Sequence, residues 1–138
     1  MSYCIKCNVL DEKIYLNLHG KCQFAIYPED DVKIGIESHL FDVVLYHDDL
    51  AIGMARIVGD NRLVFFIKDF MILPEYRGQK LSYLIMASLL KYIRQNGCEQ
   101  AYIGLMATKG YERFYEKFGF IRRPNKDLGS GMVMFNEK

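Results

Sequence analysis

Leu73-Pro-Glu-Tyr-Arg-Gly-Gln-Lys-Leu-Ser82 is the stretch on which the fold turns. Pro74 has no N–H for a β ladder, so the apolar run at residues 63–73 reads as a strand that stops there. Beyond it, Leu81, Leu84, Ile85, Leu89 and Tyr92 fall at i, i+3, i+4, i+8 and i+11, one stripe of a helix that Asn96 and Gly97 end. The stretch therefore joins the end of a strand to a helix N-terminus, where unpaired N–H groups and the helix dipole favour phosphate. Arg77 and Lys80 add positive charge, and Gly78 lets a ligand approach the backbone. With neither G-x-G-x-x-G nor a Walker A sequence, the segment taken alone reads equally as a solvated basic loop.

Upstream, apolar runs at residues 43–46, 51–58 and 63–73 are separated by turns at His47, Asp48, Asp49 and at Gly59, Asp60, Asn61, which predicts an antiparallel meander. In a regular strand Phe65, Ile67, Asp69 and Met71 share one face, and Phe66, Lys68, Phe70 and Ile72 the other. Both rows are apolar but for one charge each, so both faces of the sheet are expected to be covered. Before residue 42 the pattern weakens to a strand at 3–9, a helix from about Asp11 that Gly20 ends, and a helix opening at Pro28, Glu29 and Asp30. Downstream, a strand at 101–106 precedes a short helix presenting Tyr111, Phe114, Tyr115 and Phe118, closed by Gly119. Strand, crossover helix, strand makes the sheet mixed. Residues 120–122 and 132–135 supply the last strands. The expected architecture is α/β (α+β): a mixed, mostly antiparallel sheet of six to seven strands with four helices, in a single domain over 1–138.

A chain of 138 residues, 51% hydrophobic and 25% charged, suffices for one core. Eighteen Lys and Arg against 17 Asp and Glu leave a net charge of +1, so no global field draws it to nucleic acid or an anionic membrane. No apolar run approaches a membrane span, and Lys6 and Asn8 interrupt the first ten residues where a signal peptide would be apolar, which predicts a cytoplasmic protein with reduced thiols. Cys4 and Cys7 form a C-x2-C that His19 and Cys22 would complete as a zinc set. Strand alternation points Cys4 and Cys7 to opposite faces, so buried thiols and no metal are expected. His19, His39 and His47 show no triad or zincin spacing and receive no role.

Four pieces, in order, resemble the GNAT acetyltransferase superfamily: Arg56-Ile-Val-Gly-Asp60, Asp69-Phe-Met-Ile-Leu-Pro-Glu-Tyr-Arg-Gly78, Ile103-Gly-Leu-Met-Ala107 and Phe114-Tyr-Glu-Lys-Phe-Gly-Phe120. The resemblance implies that strands four and five splay apart and that an acetyl-pantetheine arm pairs with the backbone of Met71 and Ile72, where an N–H would polarise the thioester carbonyl. It implies a pyrophosphate cradle at Arg77, Gly78, Gln79, Lys80, Leu81 and Ser82. The family's motif is Gln or Arg, two variable residues, Gly, one variable residue, then Gly or Ala; Lys80 stands where the first Gly is expected and Ser82 at the second small position. The backbone donors are expected to survive this departure without a left-handed dihedral at Lys80.

The resemblance further implies contacts to coenzyme A from Thr108, Tyr111 and Phe114, with Thr108 replacing a frequent Asn. Tyr115 matches the family's acid, and a phenol near pKa 10 suits a leaving thiolate near about 8.5; as packing, it is one of four aromatics in a stripe. Asp69 interrupts an apolar row as a base or ammonium anchor, or else as an ion-pair partner of a cation such as Arg56. The implied function is acetyl-CoA-dependent N-acetylation of a primary amine, small molecule or peptide, by direct attack, since no Cys lies in a matched motif. The alternative is a non-catalytic acyl-CoA-sensing protein on the same fold. A homodimer is left open.

Overall fold

In the computed structural model, which describes residues 2–138, five strands form one sheet and lie side by side in chain order: β1 (Tyr3–Cys7), β2 (Phe41–His47), β3 (Leu50–Gly59), β4 (Val64–Ile72) and β5 (Tyr102–Gly104). The first four run antiparallel and β5 runs parallel to β4, so the sheet is mixed and mostly antiparallel. Four helices accompany it: α1 (Glu12–Lys21), α2 (Glu29–Ser38), α3 (Ser82–Asn96) and α4 (Glu112–Glu116). The chain forms two compact units, one through Gly104 and one of Leu105–Lys138.

The expected six to seven strands are not found. Residues 120–122 and 132–135 are not strands among the described residues. A strand is defined by the ladder it joins, and the apolar run Met132, Val133, Met134, Phe135 is exposed along its whole length. At Phe120 the chain is still closing the turn after α4: its N–H donates to the Tyr115 carbonyl at 3.4 Å, and Gly119 is left-handed at φ 100°.

Within the first unit the helices form where their ends are satisfied. Asp11 caps α1 by accepting from the Ile14 N–H at 2.8 Å, and α1 runs one residue past Gly20. Buried Asp42 at the start of β2 accepts from the N–H groups of Val9 and Leu10 at 3.1 and 3.0 Å and meets His39 Nε2 at 2.9 Å, which fixes the exit from β1. On α3 the buried positions are Ile85, Met86, Leu89 and Ile93, with Leu81 buried just before it, while Leu84 is exposed and Tyr92 stacks on Phe41 with centroids 4.4 Å apart. The thiols depart from expectation too: Cys4 and Cys7 are exposed, and Cys22 and Cys98 partly so. A strand at the sheet's edge leaves even its small residues open to solvent.

The regular alternation expected of β4 is broken. Arg56 pairs with Lys68, but Met54 pairs with Met71, so Ala55 faces two residues, Asp69 and Phe70. This is a β-bulge with Asp69 left-handed at φ 57°. Its effect on the faces is direct. Phe65 packs at Gly97 beyond α3, and Ile72 packs with Ile85 of α3 over Gly53. Seven residues apart, Phe65 and Ile72 could not share a face of a regular strand. Asp69, an even number of residues from Phe65, is turned instead toward α1.

Candidate functional site

Gly78 and Lys80 are both left-handed, at φ 81° and 62°. Between a 3₁₀ turn at Pro74–Tyr76 and α3, the two residues break the helical run, and no backbone acceptor takes the N–H groups of residues 78–82 among the described residues. No side chain caps α3 either. The result is a row of backbone donors at a helix start, with Gly78, Gln79 and Lys80 exposed, Leu81 buried beneath and Ser82 partly covered. The expectation that Lys80 needs no left-handed dihedral is corrected: it holds the conformation that the missing glycine would hold without strain, because the loop must reverse before α3 can begin.

The adjoining edge of β4 is open. Its ladder with β5 covers only Val64↔Tyr102, Phe65↔Ile103 and Phe66↔Gly104, so residues 67–72 extend beyond that partner. The Leu73 N–H donates to the Ile52 carbonyl at 2.8 Å, which alternately turns Leu73 and Met71 toward β3 and Ile72 away from it. The N–H and C=O of Ile72 therefore face the open edge. Arg77 Nε donates to that carbonyl at 3.0 Å, and Cys22 Sγ lies 3.5 Å from it. Burial pushes the Cys22 thiol above its usual range, against the opposing pull of Arg77.

Asp69 is the hub of a part-buried cluster. Arg56 Nε donates to its Oδ2 at 2.6 Å, and His19 Nε2 lies 3.0 Å from its Oδ1. Its side chain is 7% exposed, so both oxygens spend their hydrogen-bonding capacity inside the protein. Burial alone would raise its pKa, but the hydrogen bonds from His19 and Arg56 and their charge outweigh it and hold the carboxyl below its ordinary 3.8. The other ring nitrogen of His19 meets the Tyr15 carbonyl at 2.8 Å, and the Tyr15 ring stacks on His19 with centroids 3.7 Å apart. Burial, with the charge of Asp69 adding to it, pushes the Tyr15 hydroxyl up to about 12.

The second unit holds the remaining candidates. Tyr115 is buried on α4, edge-on to Phe114 at 5.1 Å and to Phe120 at 6.0 Å, and burial pushes its hydroxyl up to about 12. Thr108 is exposed, and its carbonyl accepts from the Tyr111 N–H at 2.9 Å. Phe114 is half-buried, whereas Tyr111 is 49% exposed ahead of the helix, so the four-aromatic stripe is incomplete.

His19 was missed because its partner lies fifty residues along the chain and no local spacing pairs a helix histidine with a strand carboxylate. Its one trace in sequence is a polar residue one turn after Tyr15 in an otherwise weak amphipathic stretch. His47 was missed likewise: its Nδ1 lies 2.7 Å from the Tyr76 hydroxyl and its ring stacks on Tyr3, whose own hydroxyl donates to Gln79 at 3.2 Å. That chain of contacts ties the donor loop to β1 and β2. Among the described residues no group of three or more His, Cys, Asp or Glu gathers as metal ligands, and no helix is long and apolar enough to cross a membrane.

A family model for the acetyltransferase (GNAT) domain matches residues 24–136. Two relatives carry the name uncharacterized N-acetyltransferase ycf52. The protein from Porphyra purpurea is 36% identical over 102 residues, 71% of this chain, and that from Gracilaria tenuistipitata var. liui is 29% identical over 121 residues, 80% of this chain. The chain spans 58% and 65% of their respective lengths. Among solved structures, a Staphylococcus aureus protein of unknown function, SA2161, is 30% identical, with a TM-score of 0.87 over 97% of this chain and 100% of its own. The aminoglycoside N-acetyltransferase AAC(6′)-Iy, solved in complex with CoA, shares the fold at 17% identity, with a TM-score of 0.69 over 99% of this chain and 95% of its own.

Proposed function

This chain belongs to the GNAT acetyltransferase family, and on that premise we propose that it transfers the acetyl group of acetyl-CoA to a primary amine, a small molecule or a peptide, by direct attack in the cytoplasm. The observation that carries the reading is the row of N–H groups at residues 78–82 that meet no backbone acceptor among the described residues, in a loop shaped by left-handed Gly78 and Lys80 next to the β4 end that Arg77 contacts. Such a row suits a pyrophosphate better than a neutral ligand, because several donors converge at a helix start and Lys80 and Arg77 add charge. Of the expected pair Met71 and Ile72, only Ile72 turns its backbone to the open edge while Met71 faces β3, and the Ile72 N–H suits an extended amide-bearing arm that accepts from it.

Acetyl-CoA would supply an activated thioester whose thiolate is a good leaving group. The residues of this chain would hold and polarise it. Ile72 offers its N–H to the edge as the donor for the thioester carbonyl, and Arg77, tied to the Ile72 carbonyl, stiffens that turn and adds positive charge that a phosphate would meet. In the second unit Tyr115 is the candidate hydroxyl for the departing thiolate by its match to the family's acid, as Thr108, Tyr111 and Phe114 are candidates for contacts to coenzyme A. A hydroxyl raised to about 12 stays protonated throughout the neutral range. It acts first by donating a hydrogen bond, and it yields the proton less readily than an ordinary phenol would. We assign Asp69 no proton transfer, since both oxygens are held and its pKa is lowered.

Calorimetry tests the cradle. CoA should bind, Arg77→Ala should weaken binding while the protein stays folded, and dephospho-CoA should bind less well if Arg77 or Lys80 meets the 3′-phosphate. Absence of CoA binding to the wild-type protein would overturn the reading.

A further inference from the structure

The bulge in β4 determines which backbone group faces the open edge. From Gly59↔Phe65 to Arg56↔Lys68 the strands keep one register, and the Asp60 N–H donates to the Val64 carbonyl at its start. Continued without a bulge, that register would set Ile72 opposite Ile52 as a hydrogen-bonded pair and turn the Ile72 N–H inward to β3. The one extra residue at Asp69 and Phe70 shifts the pairing to Met54↔Met71 and Gly53↔Ile72, and only then does the Ile72 N–H face outward.

In this kind of bulge the left-handed position is ordinarily glycine. Here it is Asp69 at φ 57°, with its two oxygens anchored from different elements: Oδ1 by His19 on α1 and Oδ2 by Arg56 on β3. Tyr15 backs both anchors, stacked on His19 and 6.0 Å from the Arg56 guanidinium carbon. Four side chains are thus spent on one backbone angle.

We propose that His19 and Arg56 are positioning residues that act through Asp69, clamping the bulge so that the Ile72 N–H is presented to the edge where the acyl group lies. This rests on the acetyl-transfer reading for its consequence, but not for its geometry. The cluster supplies conformation and not basicity, so activity should follow a residue's tolerance of positive φ at position 69. Glycine and asparagine, which accept that region readily, should serve; alanine should not.

The experiment compares Asp69→Gly, Asp69→Asn and Asp69→Ala, each checked for folding by thermal melt and for strand register by cross-strand NOEs between Met54 and Met71. Gly and Asn should keep the wild-type register and turnover within roughly tenfold. Ala should lose the register and fall by roughly 10² to 10³ in kcat, the usual worth of one preorganised donor, with CoA Kd little changed. His19→Ala, which leaves Asp69 held by Arg56 alone, should shift kcat and not Kd in the same direction but by less, and it stands in for Asp69→Ala if that variant does not fold. Equal loss in Gly, Asn and Ala with the register intact would overturn the proposal and return Asp69 to proton transfer or charge. An unchanged register in both Asp69→Ala and His19→Ala would overturn it as well. If the wild-type protein neither binds CoA nor turns over, the acetyl-transfer reading fails, while the NOEs still decide whether the clamp sets the register.

Discussion

Lys80 holds a left-handed backbone at the start of α3 without any of the relief a glycine would bring. Lys80→Gly should therefore stabilise the fold by about 0.5–1 kcal/mol, whereas Lys80→Ala, which keeps the strain, should not; paired thermal melts check this. If the ammonium meets phosphate, both variants should weaken CoA binding, so stability and affinity move in opposite directions in the glycine variant alone. Tyr115→Phe removes one hydroxyl from a buried ring, and kcat should fall by roughly 10² to 10⁴ where chemistry limits turnover. With that hydroxyl raised to about 12, Tyr115 should contribute no descending limb to the kcat–pH profile between pH 7 and pH 10; a limb there that vanishes in the Phe variant would keep the acid role but contradict the raised pKa. At this scale the sequence offered candidates wherever a motif marks a position, as at Arg77 and Tyr115. It left Asp69 open, because what decides a carboxylate's role is its partners, and His19 arrives from another element.

Between elements, the seam joining α1, β3 and β4 has a measurable pH signature. The folded-state pKa of Asp69 lies below its ordinary 3.8, so its stabilising share is complete above that value and is lost as pH falls through the folded pKa. Asp69→Asn should cost about 1–3 kcal/mol at neutral pH, from the weakened charge-assisted bonds to Arg56 and His19. The gap from wild type should close as the pH drops below 3.8; urea titrations across pH 2–6 measure it, and a gap constant with pH would contradict the pairing. On the other face Leu89 is fully buried against the sheet, and Leu89→Ala should cost about 2–5 kcal/mol by the same titrations at neutral pH. The meander and the crossover helix were readable because hydrophobic period and turn residues report local structure. The bulge was not, since one residue of slip leaves the apolar pattern of β4 intact. The final strands were overcounted because β-prone residues such as Met132 and Val133 do not carry a ladder partner with them.

For the molecule as a whole, a net charge of +1 leaves recognition to local groups, and the donor loop is where an anionic ligand gains most. CoA at about a hundred times its Kd should stabilise the folded state by ~2.7 kcal/mol, and the rise in melting temperature should shrink in Arg77→Ala. The architecture implied by the four matched segments holds for the mixed sheet and the four helices, while the acceptor amine is written in no motif of this chain. Transfer itself is read as release of free CoA thiol from acetyl-CoA across a panel of primary amines, with acetylated product confirmed by mass. The wild-type protein should release thiol in an amine-dependent way, reduced at least roughly a hundredfold in Tyr115→Phe under single-turnover conditions at unchanged CoA affinity. Tight CoA binding with no amine-dependent release across the panel would contradict acetyl transfer, and full single-turnover activity in the Phe variant would contradict the role given to Tyr115.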